Sequence, residues 1–194
     1  MSTIIGGSSP SITFSDSTTQ TTAFTGSASQ ITSGTLPSAQ LPAGSVLQVV
    51  QTTSTTQVSA SSTTVADVMS AAITPKFATS KILVMATING LEKDGTSSSY
   101  SYGPCISLDL TDGSNNLICE LFSSVGYSGT GTGTGYLYVS TGALNYIHSP
   151  ATTSSFTYKI RIFNGNGSNS GTVYANKNGS PYTMSTITLL EIAQ

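Results

Sequence analysis

Beyond residue 44, apolar and polar residues alternate along the chain in short runs that are separated by Gly, Asn, Ser and Pro. A two-residue period places successive side chains on opposite faces, as in a β-strand with one buried face. The runs predict strands over Val46–Gln51, Thr55–Ala60, Val65–Ile73, Lys81–Asn89, Cys105–Thr111, Leu117–Phe122, Tyr136–Ser140, Phe156–Phe163, Thr172–Ala175 and Met184–Ile192.

One segment suits either a strand or a helix. Val65–Ala72 could form two helical turns, but Thr flanks it and Ile73-Thr74-Pro75 ends it. Because its neighbours are strand-like, we predict a strand and keep a short helix as the alternative.

Short strands with turn signals about every eight to twelve residues predict an all-β fold, an antiparallel β-sandwich of the jelly-roll or TNF-like kind. Alternation along Phe156–Phe163 places Lys159 and Arg161 on the wet side of their strand. The last strand should be central, since that position would tie down the C-terminus. The predicted core or intersubunit positions are Ile82, Val84, Leu108, Leu110, Cys119, Ile160, Ile162, Ile187 and Leu189.

Residues 1–43 differ from the rest, because they carry a single charge, Asp16, and only scattered apolar residues. Such a segment buries too little surface to offset its ordering entropy. We therefore predict an extended attachment and oligomerisation arm at 1–43 and a β-sandwich head at 44–194, with Pro and Gly marking the boundary. An arm that runs over its own head is the alternative. The predicted docking residues are Ile12, Phe14, Phe24, Ile31 and Leu36.

The two cysteines flank a predicted hairpin. Asp112–Asn115 has turn chemistry, and we expect Thr111 to pair with Asn116 across it. Cys119 then faces the core and Cys105 faces outward, so this register forbids a disulfide. We predict two free thiols, which suits synthesis in a cytosol.

Charge is scarce: the chain has six basic and eight acidic residues, a net charge of −2, no Trp and one His. Its charged fraction is 7%, against about 25% in a typical domain. The basic residues are dispersed, whereas nucleic-acid binding needs several cations on one face, so we expect none. The N-terminus lacks a signal-peptide pattern and no long apolar run occurs, so we expect neither export nor membrane insertion.

Candidate catalytic groups are few. His148 is the only imidazole, no Gly-x-Ser-x-Gly is present, and we interpret His148 as a solvated loop residue. Glu92–Gly95 and Asp112–Gly113 indicate turns, which explain their acids, and no Asp-x-Asp-x-Asp series indicates calcium. The Gly-Thr repeat at 129–135 lacks the Lys of a phosphate-binding loop. We expect no enzymatic activity, metal or cofactor.

Tyrosines lie mostly in or beside predicted loops, where an aromatic face can stack on a sugar. Packing at loop rims and between subunits also explains them and is the preferred interpretation, with glycan binding kept as the alternative. The candidate glycan contacts are Tyr100, Tyr102, Tyr127 and Tyr136.

The segment Ser11–Ala23 reads SITFSDSTTQTTA and resembles an ITFxDxTTQTTA segment of tail-fibre and other virion proteins of double-stranded DNA bacteriophages, with Ser17 where Gly is usual. Leu41–Gln51, Ile73–Pro75 and Ser80–Met85 resemble the start of a C-terminal β domain attached to such proteins. The resemblance implies a virion surface protein, commonly a trimer of β-sandwich heads on thin N-terminal shafts.

Together these observations predict a phage virion structural protein, made in the host cytoplasm and located on the virion surface. A short arm favours a short fibre, a tail adaptor or a capsid decoration (cement) protein over a long tail fibre. The expected partners are two further copies in a homotrimer and other capsid, tail or fibre proteins. The alternative function is host attachment through a lectin-like module that binds a surface glycan.

Overall fold

The computed structural model describes residues 12–13, 19–20, 37–61, 64–95, 104–125, 135–165, 171–179 and 183–194. The chain divides into two units, Met1–Gln40 and Leu41–Gln194. In the first unit, β1 (Ile12–Thr13) pairs antiparallel with β2 (Thr19–Gln20), and a short 3-10 turn spans Ser38–Gln40. Most of the predicted arm lies outside the described residues.

The second unit is built from strands whose alternating pattern was visible in the sequence. They are β3 (Val46–Ser54), β4 (Val58–Ser61), β5 (Val65–Ile73), β6 (Lys81–Gly95), β7 (Pro104–Asp112), β8 (Leu117–Val125), β9 (Gly135–His148), β10 (Phe156–Phe163), β11 (Thr172–Ala175) and β12 (Ser185–Ile192). The helix alternative is wrong, since β5 runs from Val65 to Ile73 as a strand. The turn predicted at Glu92–Gly95 is also wrong, because β6 continues through it.

Strand pairing follows a nested order. β3 pairs with β12, β4 with β11, β5 with β10, β6 with β9 and β7 with β8, all antiparallel. The chain is therefore a long double ribbon folded back on itself and rolled into two sheets, which is the jelly-roll arrangement. The smaller sheet has the order β5-β10-β7-β8, and the larger has β3-β12-β6-β11-β4 with β9 also on β6. The β-sandwich prediction is confirmed, and β12 is central between β3 and β6.

β6 organises the larger sheet because its length accommodates two partners along one edge. Thr186–Ile192 of β12 pairs with its first half and Thr172–Tyr174 of β11 with its second, while β9 covers the other edge. Gly90 lies between the two segments with a φ of +60°. A Cβ at Gly90 would lie 2.7 Å from the Lys177 backbone nitrogen, so only glycine fits this close approach.

The core lies between the inner faces of the two sheets. Each strand contributes alternate apolar residues, which is the physical outcome of the two-residue period. The fully buried large side chains are Tyr158, Ile73, Ile82, Ile88, Leu91, Ile106, Leu108, Leu110, Ile160, Ile162, Ile187 and Leu189. Every predicted core residue is buried or, for Cys119, packed half-buried against this core.

The β7–β8 hairpin has a different register from the predicted one. The Asp112 amide donates to the Asn116 carbonyl, so the loop holds three residues and Asn115 adopts a φ of +70°. Three-residue loops of this kind place a left-handed residue beside a bulge. Leu110 consequently lies opposite Cys119, with a register shift between Leu110 and Thr111. Cys119 carries a free thiol, and burial, then the charge of Asp109, raises its pKa.

Candidate interaction surface

The structure leaves most of the sequence-predicted contact residues outside its description. For Ile12 in β1 and Tyr136 in β9 it describes the backbone. The remaining arm residues Phe14, Phe24, Ile31 and Leu36 and the loop residues Tyr100, Tyr102 and Tyr127 lie outside the described residues. The described surface instead presents two sheet faces of opposite character.

The outer face of the larger sheet carries a transverse apolar row. Across β3, β12, β6 and β9, Val49 lies opposite Leu190, Leu190 opposite Leu83, and Leu83 opposite Ile147. The neighbouring rows add Met85 on one side and Val46 with Ile192 on the other. These residues face outward because their chain neighbours Val84, Leu189 and Glu191 are buried. We call this set the apolar face: Val46, Val49, Leu83, Met85, Ile147, Leu190 and Ile192.

Several side chains of the apolar face are open to solvent. Val49 is 59% exposed, Ile147 is 55% exposed and Met85 is 42% exposed. Scattered exposed apolar residues are ordinary in proteins, whereas a contiguous patch of this kind marks an interaction site. Among the described residues in the rows of the apolar face, Lys81 is the one with a charged side chain, and it lies at one end. Farther along β6, Glu92 also faces outward, where it pairs with Lys177 at 3.4 Å.

The outer face of the smaller sheet has the opposite character. Arg161 on β10 lies opposite Asp67 on β5 and Asp109 on β7, and Asp109 lies opposite Glu120 on β8. The Arg161 Nε donates to Asp67 at 2.9 Å, and the Lys159 Nζ lies 3.2 Å from the other Asp67 oxygen. The wet-side prediction for Lys159 and Arg161 is confirmed. This face therefore suits water.

The acidic residues that could supply paired carboxylates lie in separate parts of the head. Asp109 and Glu120 are adjacent on the charged face, where burial, then the neighbouring Glu120 charge, raises the pKa of Asp109 against the effect of Arg161. Asp112 accepts the amides of Ser114 and Asn116 in its turn. Glu92 lies 3.4 Å from the Lys177 ammonium. Over the described ranges, no three His, Cys, Asp or Glu residues gather as metal ligands would.

Among the described residues, Glu191 is a buried carboxylate that accepts several hydrogen bonds. Its oxygens accept from the Gln48 amide at 2.6 Å, the Ser80 hydroxyl at 2.7 Å and the Lys76 backbone amide at 2.7 Å. Burial raises the pKa of this carboxyl, but the hydrogen bonds together outweigh burial, so the net pKa lies below its usual range. Glu191 therefore ties the β5–β6 connection to β12.

His148 is not the solvated loop residue that the sequence suggested. It ends β9 half-buried, its Nδ1 lies 2.9 Å from the Tyr158 hydroxyl, and its ring packs beside Phe156 with centroids 5.4 Å apart. Burial lowers the pKa of His148, with a small opposing effect from Asp112. Burial also raises the pKa of the Tyr158 phenol far above its ordinary range. These contacts give His148, Phe156 and Tyr158 a structural role in packing.

No family model matches the chain, and no curated protein matches it. Among solved structures, it is similar to infectious bursal disease virus VP2 in a subviral particle, with 13% identity over 77% of this chain and a TM-score of 0.34. T=1 particles of a mutant VP2 give 14% identity and a TM-score of 0.33. The chain spans 38% of the first of these proteins. At such identities the likeness concerns the path of the chain alone.

No helix within the described ranges has the length and apolar character needed to cross a membrane.

Proposed function

We propose that this chain is a phage virion structural protein, a short fibre, tail adaptor or capsid decoration protein that docks through its arm at 1–43 and displays a jelly-roll head. The observation that carries the proposal is the contrast between the two outer sheet faces of the head. One face is charged and suits solvent, whereas the other is apolar and suits burial in an assembly. The ITFxDxTTQTTA-like segment at Ser11–Ala23 supports the same class of protein.

The proposal places the arm on a capsid, tail or fibre partner and leaves the head facing solvent. A reconstruction of the purified particle tests this directly, because it would show which protein contacts Ile12, Phe14 and Phe24. Deletion of residues 1–41 should abolish incorporation into particles. Unchanged incorporation would remove the attachment role of the arm and favour the glycan-binding alternative.

The head is proposed to be trimeric. Light scattering on the purified full chain at micromolar concentration reports the mass, and we expect about three times the 19.8 kDa of one chain. A monomer at all concentrations would contradict the trimer.

We propose that the protein has no hydrolytic activity. The competing function, a hydrolase of host surface sugars, needs two carboxylates about 5 to 9.5 Å apart that hold the sugar between them. The adjacent acids of the described surface, Asp109 and Glu120, lie on the outer face of the smaller sheet. Arg161 lies opposite Asp109 on the neighbouring strand. Polysaccharide release that disappears when Asp94, Asp109, Asp112 or Glu120 is replaced singly would overturn this proposal.

A further inference from the structure

The apolar face requires an occupant as poor in charge as itself. Burying a charged group against Val49, Leu83, Leu190 and Ile147 would cost free energy without a compensating partner on this face. The face also offers little electrostatic means of selecting an oppositely charged protein, because Lys81 is the one charged residue described in its rows and Glu92, farther along β6, is paired with Lys177. The protein that binds there should therefore present an uncharged surface of complementary shape.

This chain is itself such an occupant. Only 7% of its residues are charged. The outer face of the smaller sheet and its turn collect these six of them: Asp67, Asp109, Asp112, Glu120, Lys159 and Arg161. Among the other described charged residues, Lys93 and Glu191 are buried, and Glu92 is paired with Lys177.

We propose that the apolar face is the subunit interface, covered by a second copy of this chain in the trimer; this deepens the proposed function and rests on it. Four strands about 4.8 Å apart and the five residues from Lys81 to Met85 along β6, at about 3.4 Å each, give a face of roughly 300 Å². A standard interface buries about 800 Å² on each partner. The apolar face thus supplies the water-excluding core of an interface, while the polar residues Gln51, Thr188 and Asn145, which share the row of Met85, supply part of its rim.

The test compares the full chain with two single variants, Val49→Lys and Ile147→Lys, by sedimentation velocity from about 1 to 100 μM, the range that a moderate interface samples. Both positions are more than half exposed, so a lysine there can reach water in the isolated subunit. We expect each variant to weaken association at least tenfold. The matched control is Leu117→Lys, because Leu117 is 62% exposed but belongs to the smaller sheet, and its association should stay unchanged.

A second measurement is independent of any substitution. In a sample labelled at the methionine methyl groups, the Met85 resonance should shift on dilution, whereas that of Met69, which is 7% exposed, should not. Screening by added salt should leave the association intact, because the contact is apolar.

A wild-type chain that is monomeric throughout, or association that Leu117→Lys weakens and Ile147→Lys does not, would overturn the proposal. The two proposals fail separately. Association through this face in a protein that never enters particles would refute the virion role alone, and particle incorporation of a monomer would refute the interface alone.

Discussion

At the scale of single residues, Glu191 shows how a buried charge is accommodated without a cation. Its carboxylate accepts from Gln48, Ser80 and the backbone amides of Lys76 and Phe77. Charge-assisted hydrogen bonds of this kind replace the water that the carboxylate loses on folding. Removing the acceptor would leave the buried Ser80 hydroxyl and the part-buried amides of Lys76 and Phe77 without this partner.

Replacing Glu191 by Ala should therefore lower the free energy of unfolding by about 2 to 3 kcal/mol, the cost of orphaned buried donors. Urea denaturation measures the change. The control is Gln51→Ala, which removes an exposed hydrogen bond of 2.9 Å to Thr188 and should stay within about 0.5 kcal/mol of the wild type. Because the folded pKa of Glu191 is lowered, its contribution is present above the unfolded pKa and is lost as the pH falls through the folded pKa. Equal effects of the two substitutions would contradict this assignment.

His148 predicts a second pH dependence in a higher window. Its folded pKa is lowered below 6.5 by burial, so the unfolded chain takes up a proton first as the pH falls. Stability from this residue is thus full above pH 6.5 and declines as the pH drops from there toward the folded pKa. Because the chain has one His, its imidazole resonance is unambiguous in an NMR titration. A midpoint at or above 6.5, or an unchanged acid slope in His148→Gln, would refute the prediction.

At the scale of elements, Gly90 permits β6 to change partners along one edge. The Asn176 amide donates to the Asn89 carbonyl and the Lys177 amide donates to the Gly90 carbonyl, which closes the junction between β11 and β12. The Asn89 amide in turn donates to the Ser185 hydroxyl. A side chain at position 90 would occupy the space that these backbone contacts need.

Gly90→Ala should cost about 2 to 4 kcal/mol, because it combines a positive φ with a clash against the backbone of Lys177 and the Thr183 methyl group at 2.8 Å. The matched control is Gly44→Ala. Gly44 has a φ of +87° but nothing within 4 Å of an added Cβ, so the backbone cost alone of about 1 kcal/mol should remain. Thermal unfolding of both variants separates the clash from the φ penalty, and identical losses would show that the close approach is not rigid.

At the scale of the whole molecule, the described core belongs entirely to Leu41–Gln194. Its buried residues run from Ala60 to Ala193 in the chain. The start of the head is joined to its end, since the Gly44 amide donates to the Ala193 carbonyl and the Ala193 amide donates to Ser45. The head therefore contains its own core, and backbone hydrogen bonds join its first and last residues.

We therefore expect a fragment of residues 41–194 to fold cooperatively by itself, with near-ultraviolet circular dichroism and a single unfolding transition. The full chain provides the reference midpoint. A fragment that lacks fixed tertiary packing would show that residues 1–40 are needed to complete the head.

The sequence predicted the strands and the β7–β8 hairpin, but not the register of that hairpin or the pairing of distant strands. The alternation in Phe156–Phe163 and Ser185–Ile192 reports burial of one face, and both strands appear where the pattern places them. The predicted register of β7 and β8 was wrong because the bulge and the left-handed conformation of Asn115 depend on the backbone of the turn. His148 was misjudged because its partner Tyr158 comes from another strand. For the candidate site, Val49, Leu83, Ile147 and Leu190 each looked like ordinary strand residues.

By itself the sequence determined the all-β class, the strands and the inward phase of the core, since those follow from a local two-residue period and from hydrophobicity. Tertiary structure alone decided the nested pairing of β3 with β12 through β7 with β8, because strand partners are chosen by contacts between distant residues. It also decided the apolar face, which exists only where four separate strands bring one outward residue each into a single row.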